Sequence, residues 1–216
     1  MPNEELMKNV TDELFWDPKV DSSSIAVATD GGTVTLRGTV GSFREKREAK
    51  KAAERVYGAV AVNNELKVRL MTDDARSDAD LRGDVLQALT LDALVPATID
   101  AAVNDGKVTL TGTAAFNFQR DEAMDVAGNI RGVVEVGDEI AVVGPPPVAG
   151  DVKDAISKAF ERSAKLDANA LTVETSNGTV TVKGTVKSWA EHDEAIDAAW
   201  AAPGVRDVHD RIVVFY

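Results

Sequence analysis

Cysteine is absent from the 216 residues, which excludes disulfide stapling, thiolate metal sites and thiol redox chemistry. Histidine occurs only at His192 and His209, too sparse for a histidine-built metal centre. There is no run of 18 apolar residues, so no membrane-spanning helix is expected. The opening MPNEELMKNVTDELFW is acidic and lacks the basic flank and apolar centre of a secretory leader, which places the chain, as an expectation, in the cytoplasm. An excess of basic charge is also missing. A net charge of −12 argues against phosphate-backbone binding, so nucleic acid is not an expected partner. The acid that is present is unevenly spread: net charge is zero over residues 1–72, −9 over 73–146 and −3 over 147–216.

What the chain has in abundance is self-similarity. GGTVTLRGTV (31–40), DGKVTLTGTA (105–114) and NGTVTVKGTV (177–186) are three spellings of one segment. Blocks 30–68, 104–142 and 176–214 align without a gap, and 11 of the 39 aligned positions are identical in all three. In the first block these are Gly32, Val34, Thr35, Gly38, Thr39, Glu48, Ala49, Ala53, Gly58, Val62 and Val68. A fixed period of this length means an array of modules. A polar stretch at 71–78 and a proline-rich one at 144–150 read as spacers, which gives modules over 1–72, 73–144 and 148–216.

Inside each module the hydrophobic period switches in the same order. Leu6, Val10 and Leu14, then Leu81, Val85 and Leu89, then Val152, Ile156 and Phe160 stand four apart, as on one face of a helix. A short strand of period two follows, carrying Ile25 and Val27, or Ile99, Ala101 and Val103, or Leu171 and Val173. Gly31-Gly32, Asp105-Gly106 and Asn177-Gly178 are three ways of filling a hairpin turn whose two central residues need positive φ. The next strand buries Val34 and Leu36 and their counterparts. Gly38, Gly112 and Gly184 interrupt it at one fixed place, which predicts a bulge or a close backbone approach.

A second helix opens on Ser42-x-x-Glu45 or Ser188-x-x-Glu191, the pattern of a capping box; in the middle copy Phe116 replaces the serine and Asn117 is the candidate substitute. Ala49, Ala53 and Val56 give it a narrow apolar strip, and Gly58, Gly132 and Gly204 mark its stop. A last strand carries Val60, Val62, Leu66 and Val68 on one parity. The fold class is therefore α+β: three tandem two-layer sandwiches, each α-β-β-α-β, with a three-stranded mixed sheet covered on one face by two helices.

This arrangement resembles the BON domain, a bacterial module named for an osmotically induced periplasmic protein and nodulation proteins. The carriers are the hairpin strand from Gly32 to Gly38, the helix with its small-residue strip, and the closing GAVAVNNELKV (58–68), with Asp138 and Asp210 at the Asn64 position. The resemblance implies a non-enzymatic protein without a cofactor that meets phospholipid surfaces or protein partners, often under osmotic stress. A cytoplasmic relative that binds potassium implies the alternative, a cation or small-ligand stress sensor.

No catalytic set is visible. His192 and His209 sit at positions that the other copies fill with unrelated residues, and both read as surface histidines. The acidic residues of the middle module lack the spacing of a calcium loop and read as a solvated face, so no metal site is expected. Arg44, Arg47, Lys51 and Arg55 form a basic side on the first module's second helix, open to anionic headgroups, to local ion pairs or to the acidic middle module. The sharper signal lies where the copies diverge. Lys50, Glu54 and Tyr57 become Met124, Gly128 and Arg131, and then Ile196, Trp200 and Pro203, while Phe43 becomes Trp189. A tryptophan where a sister copy keeps glutamate is not demanded by the shared core. Trp200, Ile196 and Trp189 are therefore the candidate contacts for a partner or lipid surface, with packing against another module as the competing reading.

Overall fold

The computed structural model describes residues 3–70, 76–144 and 152–216. The first module comprises α1 (Asn3–Trp16), β1 (Ile25–Asp30), β2 (Thr33–Val40), α2 (Phe43–Glu54) and β3 (Ala61–Val68). The second comprises α3 (Asp78–Leu91), β4 (Asp100–Asn104), β5 (Lys107–Ala114), α4 (Asn117–Gly128) and β6 (Glu135–Val142). The third comprises α5 (Val152–Arg162), β7 (Leu171–Ser176), β8 (Thr179–Val186), α6 (Trp189–Trp200) and β9 (Asp207–Val214). Residues 71–75 and 145–151, the bulk of the two expected spacers, lie outside the described residues, and with them the boundaries expected at 72, 73 and 148.

Each sheet has three strands with the hairpin's second strand in the middle, in the orders β1-β2-β3, β4-β5-β6 and β7-β8-β9. In the first and third, the hairpin pair is antiparallel and the strand reached through the second helix is parallel. The expected alternation places Val34, Leu36 and Val40 inward, in one buried cluster with Leu6, Val10 and Leu14 of α1 and Ala49, Ala52 and Ala53 of α2. Ile156, Phe160, Val180, Val182, Ala195 and Ala199 form the same cluster in the third module. Small alanines let the helix sit close to the sheet, so a module this short still closes a dry layer.

Two glycine positions have a physical necessity. The turns place φ at +54° and +86° for Gly31 and Gly32, +50° and +73° for Asp105 and Gly106, and +49° and +84° for Asn177 and Gly178, the left-handed pair of the expected hairpin. At Gly38, Gly112 and Gly184 a Cβ would overlap the carbonyl oxygen of Ser24, Thr98 or Ala170, so this position is a close backbone approach.

The second helices end sooner than expected. α2 stops at Glu54, and Gly58, at φ +93°, lies in a following turn closed by Ala59 N–H donating to the Val56 carbonyl at 3.1 Å. That turn meets the hairpin: Val60 N–H donates to the Gly32 carbonyl at 2.8 Å, a bond repeated by Val134 to Gly106 and Arg206 to Gly178. The shared glycines of turn and helix end thus face each other, which is why both are invariant among the copies.

Among the described residues, those up to 112 together with 121–140 form one compact unit, and 113–120 with 141–216 form another.

Candidate functional site

The serine cap appears where expected. Ser42 Oγ accepts from Glu45 N–H at 3.1 Å, and Ser188 Oγ from Glu191 N–H at 3.2 Å. The glutamate reaches further back than in a capping box, however: Glu45 accepts from the N–H of Gly41 at 2.8 Å and of Asp21 at 2.7 Å, and Glu191 from Lys187 at 2.9 Å. In the middle copy this role falls to Gln119, whose Oε1 accepts from the N–H groups of Ala115 and Phe116 at 3.0 and 3.2 Å. Asn117 is the first helical residue and is buried, which corrects its expected role as the cap.

The basic side of α2 is largely consumed by pairing. Arg55 binds Glu13 through Nε at 3.0 Å and Asp17 through Nη2 at 2.7 Å, and this guanidinium holds the Asp17 carboxyl below the ordinary aspartate value. Lys51 lies 4.0 Å from Glu48. Arg47 donates to Asp125 at 2.7 Å, the contact with the acidic middle module that the charge pattern left open. Arg44 lines a cleft of about 560 Å³ with Ser42, Glu45, Leu70 and residues 128–132. The four residues therefore point to separate destinations and form no continuous basic surface.

On α6, Trp189, Ile196 and Trp200 are half-buried, and both tryptophans pack against the third module's core. That corrects the expected exposure. The Arg120 guanidinium lies 4.8 Å from the centre of the Trp200 ring, in the geometry of a cation–π contact, so part of this face is covered within its own unit. More exposed large apolar side chains occur elsewhere, among them Phe15 and Trp16 at the end of α1, Tyr57, and Phe215. Phe15, Trp16 and Phe215 carry no signal in the comparison of copies.

His192 departs from the surface reading. Its side chain is only 12% exposed, its Nδ1 is 3.0 Å from Asp193 and its Nε2 is 2.8 Å from Asp210, while Trp189 meets the ring edge-on at 4.9 Å. With a carboxylate at each nitrogen, the imidazolium is favoured: the bond to Asp193 raises the pKa above the ordinary histidine value, burial opposes it, and Asp210 adds to it. The position has a counterpart in the first module, where Asn64 Nδ2 donates to the Lys46 carbonyl at 2.7 Å. Aspartate cannot donate, so the third copy ties strand to helix through the histidine side chain instead. His209, by contrast, is exposed beside Asp207 at 3.0 Å, as expected.

Glu48, identical in all three copies, is buried and accepts from Lys19 Nζ at 2.8 Å; its counterpart Glu194 accepts from Lys165 at 2.8 Å. The Lys19 bond pulls the Glu48 pKa down, against burial. This pair fastens the loop before the first strand onto the second helix. Among the described residues no group of three or more His, Asp or Glu side chains could hold a metal ion, and no helix is long and apolar enough to cross a membrane.

A family model described as BON domain matches residues 2–69, 77–144 and 149–214. The chain is 31% identical over 126 residues to Osmotically-inducible protein Y of Escherichia coli (strain K12). That match covers 56% of this chain and 63% of the relative, so it spans less than two thirds of the relative's length. Among solved structures, CdsD, a structural protein of the type III secretion system of Chlamydia trachomatis, is 14% identical with a TM-score of 0.27, covering 98% of this chain and 92% of that one. The PrgH periplasmic domain is 11% identical with a TM-score of 0.23, covering 95% and 99%.

Proposed function

Because the chain belongs to the BON domain family, we propose that it is a non-enzymatic binding protein of the osmotic or general stress response, which holds a phospholipid surface or a protein partner. One observation carries this reading: the glycines, valines, alanines and glutamate shared by the copies serve turns, close approaches, the core and one loop tether. The shared positions therefore have architectural roles, and binding is assigned to positions where the copies differ. The osmotically inducible relative supports the stress setting.

The contact surface in this reading is α6, through Trp189, Ile196 and Trp200, which are half-exposed; the two indoles combine apolar area with a polar N–H, and Ile196 adds apolar area. A net charge of −12 opposes attraction to anionic headgroups, so vesicle binding would be apolar in character and would not rise with the anionic lipid fraction. The test is flotation with phosphatidylcholine vesicles, with and without phosphatidylglycerol, plus a partner pull-down, comparing the parent with Trp200→Glu and Trp189→Glu. Loss in either assay from a variant that still melts cooperatively supports the surface. Unchanged behaviour in both assays discards it.

A second reading, small-ligand sensing, draws on the 560 Å³ cleft, a size suited to a small molecule. Its arginines Arg44 and Arg131 suit an anion better than potassium. A melting temperature that rises with K⁺ over Na⁺ at equal ionic strength would reverse that preference.

A further inference from the structure

The cleft between the start of α2 and the end of α4 lies within one compact unit and is built where the copies differ. The two helices approach closely there: Arg47 pairs with Asp125 at 2.7 Å, and a Cβ on Gly128 would lie 3.0 Å from both the Phe43 ring and Arg47 Nη1. Glycine at this position is confined to the middle copy, since Glu54 and Trp200 stand there in the other two. The missing side chain opens the cleft. Arg44 lines it from the first module and Arg131 from the second. The other copies fill the Arg44 position with Phe118 and Ala190, and the Arg131 position with Tyr57 and Pro203. The shared architecture therefore demands neither arginine.

The local charge runs against its surroundings. Residues 73–146 carry a net charge of −9, yet the ionisable groups lining the cleft are two guanidiniums and one carboxylate, Glu45. That carboxylate is already committed, accepting from Asp21 N–H at 2.7 Å and Gly41 N–H at 2.8 Å. Arg44 is exposed and, among the described residues, has neither an ion pair nor a side-chain hydrogen bond. A guanidinium presents a fork of donors that matches an oxyanion, and a doubly charged oxyanion can engage two of them at once. A phosphomonoester, with a second pKa of about 6, carries both charges on one group at neutral pH. The volume of about 560 Å³ exceeds the needs of a bare phosphate and falls in the range of organic-ligand sites, about 300–1,000 Å³. Leu70 and Ile130 supply an apolar wall. Ile130 and Arg131 also line a second cleft, of about 350 Å³, with Ala88 and the exposed Leu91, which extends the apolar bed beside the charge.

Resting on the small-ligand reading and narrowing it, we propose that this cleft binds a small soluble organic phosphomonoester, its dianionic phosphate held by Arg44 and Arg131 and its apolar part lying on Leu70 and Ile130. The test is calorimetric titration of the full chain with phenyl phosphate, inorganic phosphate and benzoate at neutral pH and equal ionic strength. Phenyl phosphate binds with a Kd below about 1 mM, and the other two bind about tenfold more weakly, since one lacks the apolar part and the other the second charge. Arg44→Gln removes no ion pair or hydrogen bond among the described residues, so the variant melts as the parent does without ligand, yet it binds phenyl phosphate about tenfold more weakly. Arg44→Lys keeps part of the affinity, and Arg162→Ala, which removes an exposed guanidinium on α5, keeps all of it. No binding of phenyl phosphate up to about 10 mM overturns the proposal, as does binding indifferent to Arg44→Gln or equal affinity for all three probes. If phenyl phosphate fails to bind while K⁺ raises the melting temperature, the proposal falls and the small-ligand reading stands with another ligand. Arg44-dependent flotation with phosphatidic acid vesicles, without binding of phenyl phosphate, assigns the phosphate to a lipid and equally overturns the proposal.

Discussion

Single residues carry the most stringent constraints. At Gly184, where φ is +146° and a Cβ would overlap the Ala170 carbonyl, alanine leaves no soft atom to move. Gly184→Ala should destabilise the third module by about 3 kcal/mol or more, read by denaturant unfolding. The His192 pairing makes a prediction with a definite sign. Its folded pKa is raised, so the stability it adds is fully present below the ordinary value of 6.5 and is lost as pH rises through the raised value. The melting temperature should therefore show a decrease on the alkaline side of 6.5 that His192→Gln abolishes. Glu48 acts in the opposite direction. Its pKa is depressed by Lys19, so its contribution is present above the ordinary glutamate value and is lost as pH falls through the lowered one. Glu48→Gln should cost about 1 kcal/mol at neutral pH, since Lys19 is half exposed, and should flatten the acid limb of the stability profile.

At the scale of elements, the second helix is where the copies both agree and part. Its buried strip of alanines is held in common, and its start is tied by a glutamate that reaches outside the helix. Glu45→Ala removes the acceptor for the N–H groups of Gly41 and Asp21 and should lower stability by about 1 kcal/mol, measured by thermal unfolding. These elements are legible in the sequence because their causes are local: a spacing of four for helices, of two for strands, and glycine where φ is positive. The gapless alignment of three copies also marks Gly38 as special from the pattern alone. What stays hidden depends on tertiary register. Asp210 reaches His192 across 18 residues and Lys19 reaches Glu48 across 29, pairings set by how the second helix lies on the sheet. The half-burial of Trp200 is only partly legible for a related reason. Comparison of copies shows that the shared core does not require a tryptophan and leaves open packing against another module, as the Arg120 contact then does, yet it does not show that this module also enlarges its own core with Trp200.

For the whole molecule, what the three modules share is distinct from what one of them adds. The shared part builds each sandwich; the added part, on α6, is the surface that we propose binds. The two twelve-residue helices FREKREAKKAAE (α2) and WAEHDEAIDAAW (α6) have the same length and bury alanine at two corresponding positions, Ala49 and Ala53 or Ala195 and Ala199, so one can replace the other in register. The deciding measurement is flotation of phosphatidylcholine vesicles and partner retention with a chain whose residues 189–200 carry the α2 sequence. The expected result is a cooperatively melting protein that no longer holds vesicles or partner; a transplanted chain that binds as the parent does, or that cannot fold, contradicts it.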